Sequence, residues 1–186
     1  MWPWGHLAVG YLLYSLTVRL LRRRGPTAGA ALAVALGTQV PDLVDKPLAW
    51  TLGVTPQGYT VAHSVFVAVP LAVAVVAFAD YRGRADVGIA YAVGHLSHLV
   101  GDVVFAIGLR QPYTLERVLW PLVDLPATEP RATTGRILEY ATDWVAYLLS
   151  NGHGAFLAVY LGTLVGAVLL WLVDGAPGLP RPDWVR

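Results

Sequence analysis

The stretch Gly94-His95-Leu96-Ser97-His98-Leu99-Val100-Gly101-Asp102 lies inside an apolar run from Val87 to Leu109. It carries three ionisable residues where lipid-facing sequence tolerates almost none. At 100° per residue, positions i, i+3 and i+7 fall within a ~60° arc of a helix. His95, His98 and Asp102 therefore form one polar stripe on an otherwise greasy helix. Beside it Gly94, Ser97 and Gly101 make a small-residue face that lets a neighbouring helix come close. Ionisable groups in a membrane helix are costly and are read as a functional site facing the bundle or a cavity.

The whole chain has the composition of a membrane protein. Of its 186 residues, 56% are hydrophobic and 13% charged, with a formal charge of +1. That charge, and the lack of a basic stripe with interleaved aromatics, gives no reason to expect nucleic acid as a partner. There is no Cys, so a metal here must be held by His and carboxylates. Positive charge (Arg22, Arg23, Arg24) follows the first apolar run, opposite to a signal peptide, and the first helix is expected to be retained.

The pattern predicts an all-α bundle of about five spanning helices in one domain over residues 1–174, with a Pro/Gly-rich, loosely ordered tail from Gly175. The spans are His6 to Leu21, Ala28 to Val40 (short, stopping at Pro41), Ala62 to Ala79 (kinked at Pro70), the stripe helix, and Phe156 to Val173. Residues Lys46 to Thr60 read as a loop with at most a helical turn. Ile137 to Leu149, with Glu139 and Asp143, reads as an interfacial or cavity-capping helix.

The positive-inside rule puts Arg22–Arg24 and the Arg82/Arg84 turn in the cytoplasm. Five spans then place the N-terminus outside, the tail with Arg181 and Arg186 inside, and the protein in the cell membrane. In that orientation His6, Asp42, Asp45, His63 and the stripe all reach the extracytoplasmic end. The candidate ligand set is His6, Asp42 and/or Asp45, His63, His95 and/or His98, and Asp102. Neutral imidazole and carboxylate without sulfur suit Zn²⁺, or Mn²⁺, in a catalytic rather than structural site. His98-x-x-x-Asp102 is an i, i+4 pair that can reach one ion, and Asp102 could bridge two metals ~3.5–4 Å apart. One or two ions are expected.

His6, Pro41-Asp42, His63-Ser64, the His-x-x-x-Asp helix and Leu119-Trp120-Pro121-Leu122 together resemble the membrane-bound metal-dependent hydrolases. Their order is also similar to that of soluble zinc-dependent phospholipase C and the single-strand-specific zinc nucleases. Over residues 1–125 the resemblance implies metal-binding roles for His6, Asp42, His63, His98 and Asp102, and hydrolysis of a phosphoester. The sequence departs from these patterns at Asp42-x-x-Asp45, where Asp-x-Asp is usual, so the choice of ligand between the two stays open. Gly58-Tyr59-Thr60 stands where a His-Arg pair often lies. No His-x-x-x-Asp/Glu follows His153, so a three-metal cluster is not expected.

The expected activity is metal-dependent hydrolysis of a lipid or lipid-linked phosphoester, with Asp42, Asp45 and His95 as candidates for proton transfer. Arg110 and Arg117 are candidates for holding phosphate, alongside Arg131 and Arg136. Glu116 and Glu139 are further candidate bases, and His153 reads as a surface turn residue. Each residue also has a plain alternative: the stripe as interhelical packing, the acidic pair as a helix cap, the arginines as headgroup-facing charges. A metal or proton transporter and a bis-His haem protein are the rival functions.

Overall fold

In the computed structural model, residues 1–127, 133–150 and 154–180 are described. His153, Arg131, Arg181 and Arg186 lie outside them. The described residues form helices and no strand: α1 Pro3–Arg22, α2 Ala28–Lys46, α3 Val65–Tyr81, α4 Ala85–Gly108, α5 Thr133–Leu149 and α6 Gly154–Val173. Among these, α4 and α6 are long and apolar enough to cross a membrane alone, whereas α3 is apolar but shorter. Length and composition thus mark two candidate spans among the described residues.

Capping follows from the local sequence. Thr27 starts α2 by accepting from the Ala30 N–H, and Ser64 starts α3 by accepting from the Phe66 N–H. Each satisfies one of the donors a helix leaves open at its first turn. Helix α1 ends on Arg23 in the left-handed region, just before Gly25-Pro26. Contrary to the expectation from sequence, α2 does not stop at Pro41 but continues to Lys46. A proline costs the helix a donor and crowds the preceding turn, but the turn after Pro41 carries Asp42 and Asp45, whose side chains are held by residues across the bundle. Tertiary contacts outweigh the local penalty. The loop that follows opens with a short π-helical turn, Pro47–Thr51.

Helix α4 is central and packs on α1, α2 and α3. The close approach depends on glycines. A Cβ on Gly94 would lie 2.5 Å from the Val34 carbonyl, and one on Gly37 would lie 2.4 Å from the Tyr91 carbonyl. Gly10 of α1 faces the same crossing, against Thr38 and Ser97. The small-residue face read from the sequence is therefore shared between two neighbours: Gly94 meets α2, whereas Ser97 and Gly101 meet α1 at Gly10 and His6.

Polarity is inverted relative to a water-soluble protein. The buried set includes His6, Ser15, Thr38, Asp45, Thr60, His63, His95, His98 and Asp102, whereas Leu13, Leu20, Leu21, Leu32, Val73, Phe78 and Val159 face outward. A greasy exterior around a polar interior is the arrangement a bilayer selects. At the end of the bundle that holds Arg22, Asp174 is buried and accepts from Tyr11 Oη (2.7 Å), Ser15 Oγ (2.6 Å) and Arg19 Nε (2.7 Å), fastening the end of α6 to α1. The beginning of the tail is also packed, with Trp171 Nε1 donating to the Pro177 carbonyl and Gly178 against Leu32. Over residues 175–180 this differs from the loose tail expected.

Candidate metal centre

Four atoms converge where α2, α4 and the loop before α3 meet. They are Asp42 Oδ1, His63 Nε2, His98 Nε2 and Asp102 Oδ2, all within 4.8 Å of one another. The two imidazole nitrogens are 3.2 Å apart. His63 Nε2 lies 3.5 Å from Asp42 and 3.6 Å from Asp102, and His98 Nε2 lies 3.7 Å and 3.5 Å from the same two carboxylates. Ligands held ~2.0–2.2 Å from a tetrahedral Zn²⁺ are themselves ~3.3–3.6 Å apart. Five of the six edges of the set fall at or within about 0.1 Å of that range.

The hydrogen bonds at the far side of each ring decide what these atoms can do. His98 Nδ1 faces the Thr38 carbonyl at 2.7 Å, and a carbonyl only accepts, so Nδ1 carries the proton. His63 Nδ1 donates to the Asp45 carboxylate at 2.8 Å. In the neutral rings both Nε2 atoms therefore present lone pairs to each other and to two carboxylates. Four acceptors share a space with no donor among them, an arrangement that calls for a cation. Lys46 supplies part of one, bonding Asp42 Oδ2, but Asp42 Oδ1 has no hydrogen-bond partner. His63 lies in the loop outside the helices. Burial opposes its charged form, but hydrogen bonds to the carboxylates of Asp102, Asp42 and Asp45 prevail and raise its pKa to about 10. Without metal, a proton on His63 does the cation's work.

The other candidates surround the four and do not join them. Asp45 is fully engaged: besides His63 Nδ1 it accepts from the backbone N–H groups of Thr60 (2.9 Å), Ala62 (3.0 Å) and His63 (3.0 Å). It holds the loop and aims His63, the part carboxylates commonly play behind a metal-bound imidazole. His95 Nε2 donates to the Ala62 carbonyl (3.0 Å), and its Nδ1 meets the Tyr91 hydroxyl (3.2 Å). His95 thus grips the same loop from α4. Of the alternatives left open in each pair, Asp42 or Asp45 and His95 or His98, the structure groups Asp42 and His98 with the cluster and sets Asp45 and His95 behind it, bonded to the loop.

His6 of α1 stacks on His98, with ring centroids 3.6 Å apart, and both its nitrogens lack a hydrogen-bond partner. Its Nε2 is 3.2 Å from Asp102 Oδ1, outside the direction of a hydrogen bond. The Met1 α-amino group donates to the same oxygen at 2.6 Å. Asp102 thus turns one oxygen to the four-atom set and the other to His6.

A cavity of about 910 Å³ opens over the cluster, with Asp42 and Asp102 in its wall. Arg117 lines it, held by the Tyr113 carbonyl and lying over the Tyr59 ring at 4.8 Å. Arg110 does not reach it and is exposed. Arg136 and Glu139 pair with each other on α5 (3.2 Å), and Glu116 has a buried oxygen with no partner. Lys46 was not a sequence candidate. Its i, i+4 spacing from Asp42 was the available signal, since such pairs bond on a helix face.

Residues 1–175 match the family model described as YdjM inner membrane protein. No curated protein and no solved structure gives a match. None of these comparisons shows a likeness to soluble zinc phospholipases or nucleases.

Proposed function

The chain belongs to the YdjM inner membrane protein family, and on that premise we propose that it is a membrane-embedded, metal-dependent phosphoester hydrolase. The observation that carries the proposal is the facing pair of imidazole lone pairs, His63 Nε2 and His98 Nε2, closed in by the Asp42 and Asp102 carboxylates. Asp42, His63, His98 and Asp102 hold one divalent cation, with Zn²⁺ the first choice and Mn²⁺ the second. Such an ion supplies Lewis acidity, lowering the pKa of water towards ~7 and offsetting charge that builds on a phosphoester oxygen.

The chain's own residues do the rest. Thr38 and Asp45 fix the tautomer and direction of the two imidazoles, and His95 keeps the loop of His63 in place. Lys46, bonded to Asp42 Oδ2 in the cavity wall, holds that carboxylate so that Oδ1 faces the cluster. In this reading α1, α2, α3, α4 and α6 all cross the membrane, with the site at the outer end. A haem is disfavoured by geometry, because carboxylates close the sides of the His63–His98 pair and leave no slot for a macrocycle.

Metal analysis of purified protein tests the reading. Wild type should carry about one equivalent of zinc, and His98→Ala and Asp102→Ala should carry little. The same preparations should cleave bis(p-nitrophenyl) phosphate only as wild type and only with metal. A metal-free wild type after growth in zinc and manganese, or variants that retain as much metal, would overturn it.

A further inference from the structure

The cavity above the cluster is far larger than a phosphate group needs. At about 910 Å³ it lies near the top of the ~300–1,000 Å³ range of small-molecule sites. Its wall is divided. Asp42, Asp102, Asp143, Lys46 and Arg117 supply its charged part, and Phe105 and Leu109 of α4 with Trp144 and Tyr147 of α5 supply an aromatic and apolar part. The aromatic side is a built surface, with Phe105 and Trp144 rings 5.7 Å apart and Trp144 stacked on Tyr147 at 5.6 Å. Outside it, Leu138 and Val145 of α5 are exposed, as suits a helix lying at the hydrocarbon boundary.

Charge selects the occupant. Asp42, Asp102 and Asp143 are balanced by Lys46, Arg117 and the Met1 α-amino group, so the wall holds no excess of negative charge without metal. A divalent ion makes it positive, and an anion becomes the complementary partner. We infer that the cavity binds a phosphorylated amphiphile, its phosphate between the cluster, Lys46 and Arg117 and its hydrocarbon chain along Phe105, Leu109, Trp144 and Tyr147. This rests on the proposed metal centre and adds the substrate class.

Binding of alkyl phosphates to the full chain in nanodiscs tests it, read by the fluorescence of the tryptophans in the wall and corrected for partition into protein-free discs. Each methylene moved out of water is worth about fourfold in affinity, so three or four buried methylenes give about 100-fold. Zinc-loaded protein should bind decyl phosphate about 100-fold tighter than butyl phosphate and lose that binding when zinc is stripped. Leu109→Trp, which fills the apolar side, should weaken decyl phosphate at least tenfold while keeping wild-type zinc content. Equal affinity for butyl and decyl phosphate overturns the inference, as does equal, zinc-independent binding of decanol or an unaltered Leu109→Trp. Zinc content is measured separately, so those results leave the metal centre standing, whereas a protein that holds no zinc fails both.

Discussion

Gly94→Ala puts both the fold and the site at risk through one methyl group. The new Cβ would lie 2.5 Å from the Val34 carbonyl oxygen and 3.0 Å from the Thr38 nitrogen, both backbone atoms of α2 that cannot rotate away. Non-bonded heavy atoms settle near ~3.5 Å, so α2 and α4 must separate locally by about 1 Å. Overpacking of this kind costs about 1–3 kcal/mol, offset in part by the ~1 kcal/mol that alanine gains over glycine in a helix. The same displacement stretches the 2.7 Å contact between His98 Nδ1 and the Thr38 carbonyl towards ~3.6 Å, where it is no longer a hydrogen bond. It also carries Asp42 away from His98. Zinc affinity should therefore fall by about 10–100-fold, the usual cost of losing a group that orients a ligand. Thermal unfolding in detergent and zinc titration against a chelator of known affinity would measure the two effects. Gly162→Ala on α6 is the control, because its Cβ would meet nothing within 4 Å, and it should leave both quantities unchanged. If Gly94→Ala unfolds and binds zinc like wild type, the seam is not as tight as described and the route from helix spacing to metal affinity is wrong.

Three further predictions use other parts of the molecule. His95→Gln keeps an N–H that can reach the Ala62 carbonyl and should retain most of the zinc affinity, whereas His95→Leu should lose about 10–100-fold; equal loss in both would return His95 to the ligand set. Zinc and a proton compete for His63 Nε2, whose pKa is raised to about 10. Apparent zinc affinity should thus rise about tenfold per pH unit between pH 6 and 8, with one proton released per ion; a flat profile refutes the competition. The sign reverses for the metal-free fold: the protonated ring stabilises it fully below the ordinary pKa of 6.5, and that contribution is lost as pH climbs through about 10. Asp174→Ala removes the acceptor of Tyr11, Ser15 and Arg19. It should cost about 2–3 kcal/mol, discounted because Arg19 is partly exposed, and leave zinc content unaltered at the opposite end of the bundle.

The clustered His and Asp residues were legible in the sequence because their chemistry conflicts with their surroundings. His98 and Asp102 stand out in an apolar run, and the helical repeat places them together before any tertiary information is used. His63 and Asp102, 39 positions apart in the chain, come within 3.6 Å. What the periodicity could not separate is a residue that faces the cluster from one that faces its back. Asp42 and Asp45 are one helical turn apart, as are His95 and His98, and within each pair the partner is set by a loop whose path is non-local. The extension of α2 past Pro41 was hidden for the same reason. Local propensity marks a stop there, and contacts from residues 60–63 and α4 override it.

The interior polarity bears on how the chain is made. Alone in hydrocarbon, α4 would carry a carboxylate and two imidazoles, and an aspartate near a helix centre opposes insertion by ~2.5–3.5 kcal/mol. The groups that shelter Asp102, His95 and His98 belong to residues 1–64, all synthesised before α4. Partners for this unfavourable helix are thus already in place when it leaves the ribosome. Moving it to the front of the chain by circular permutation should impair biogenesis even where every final contact is preserved.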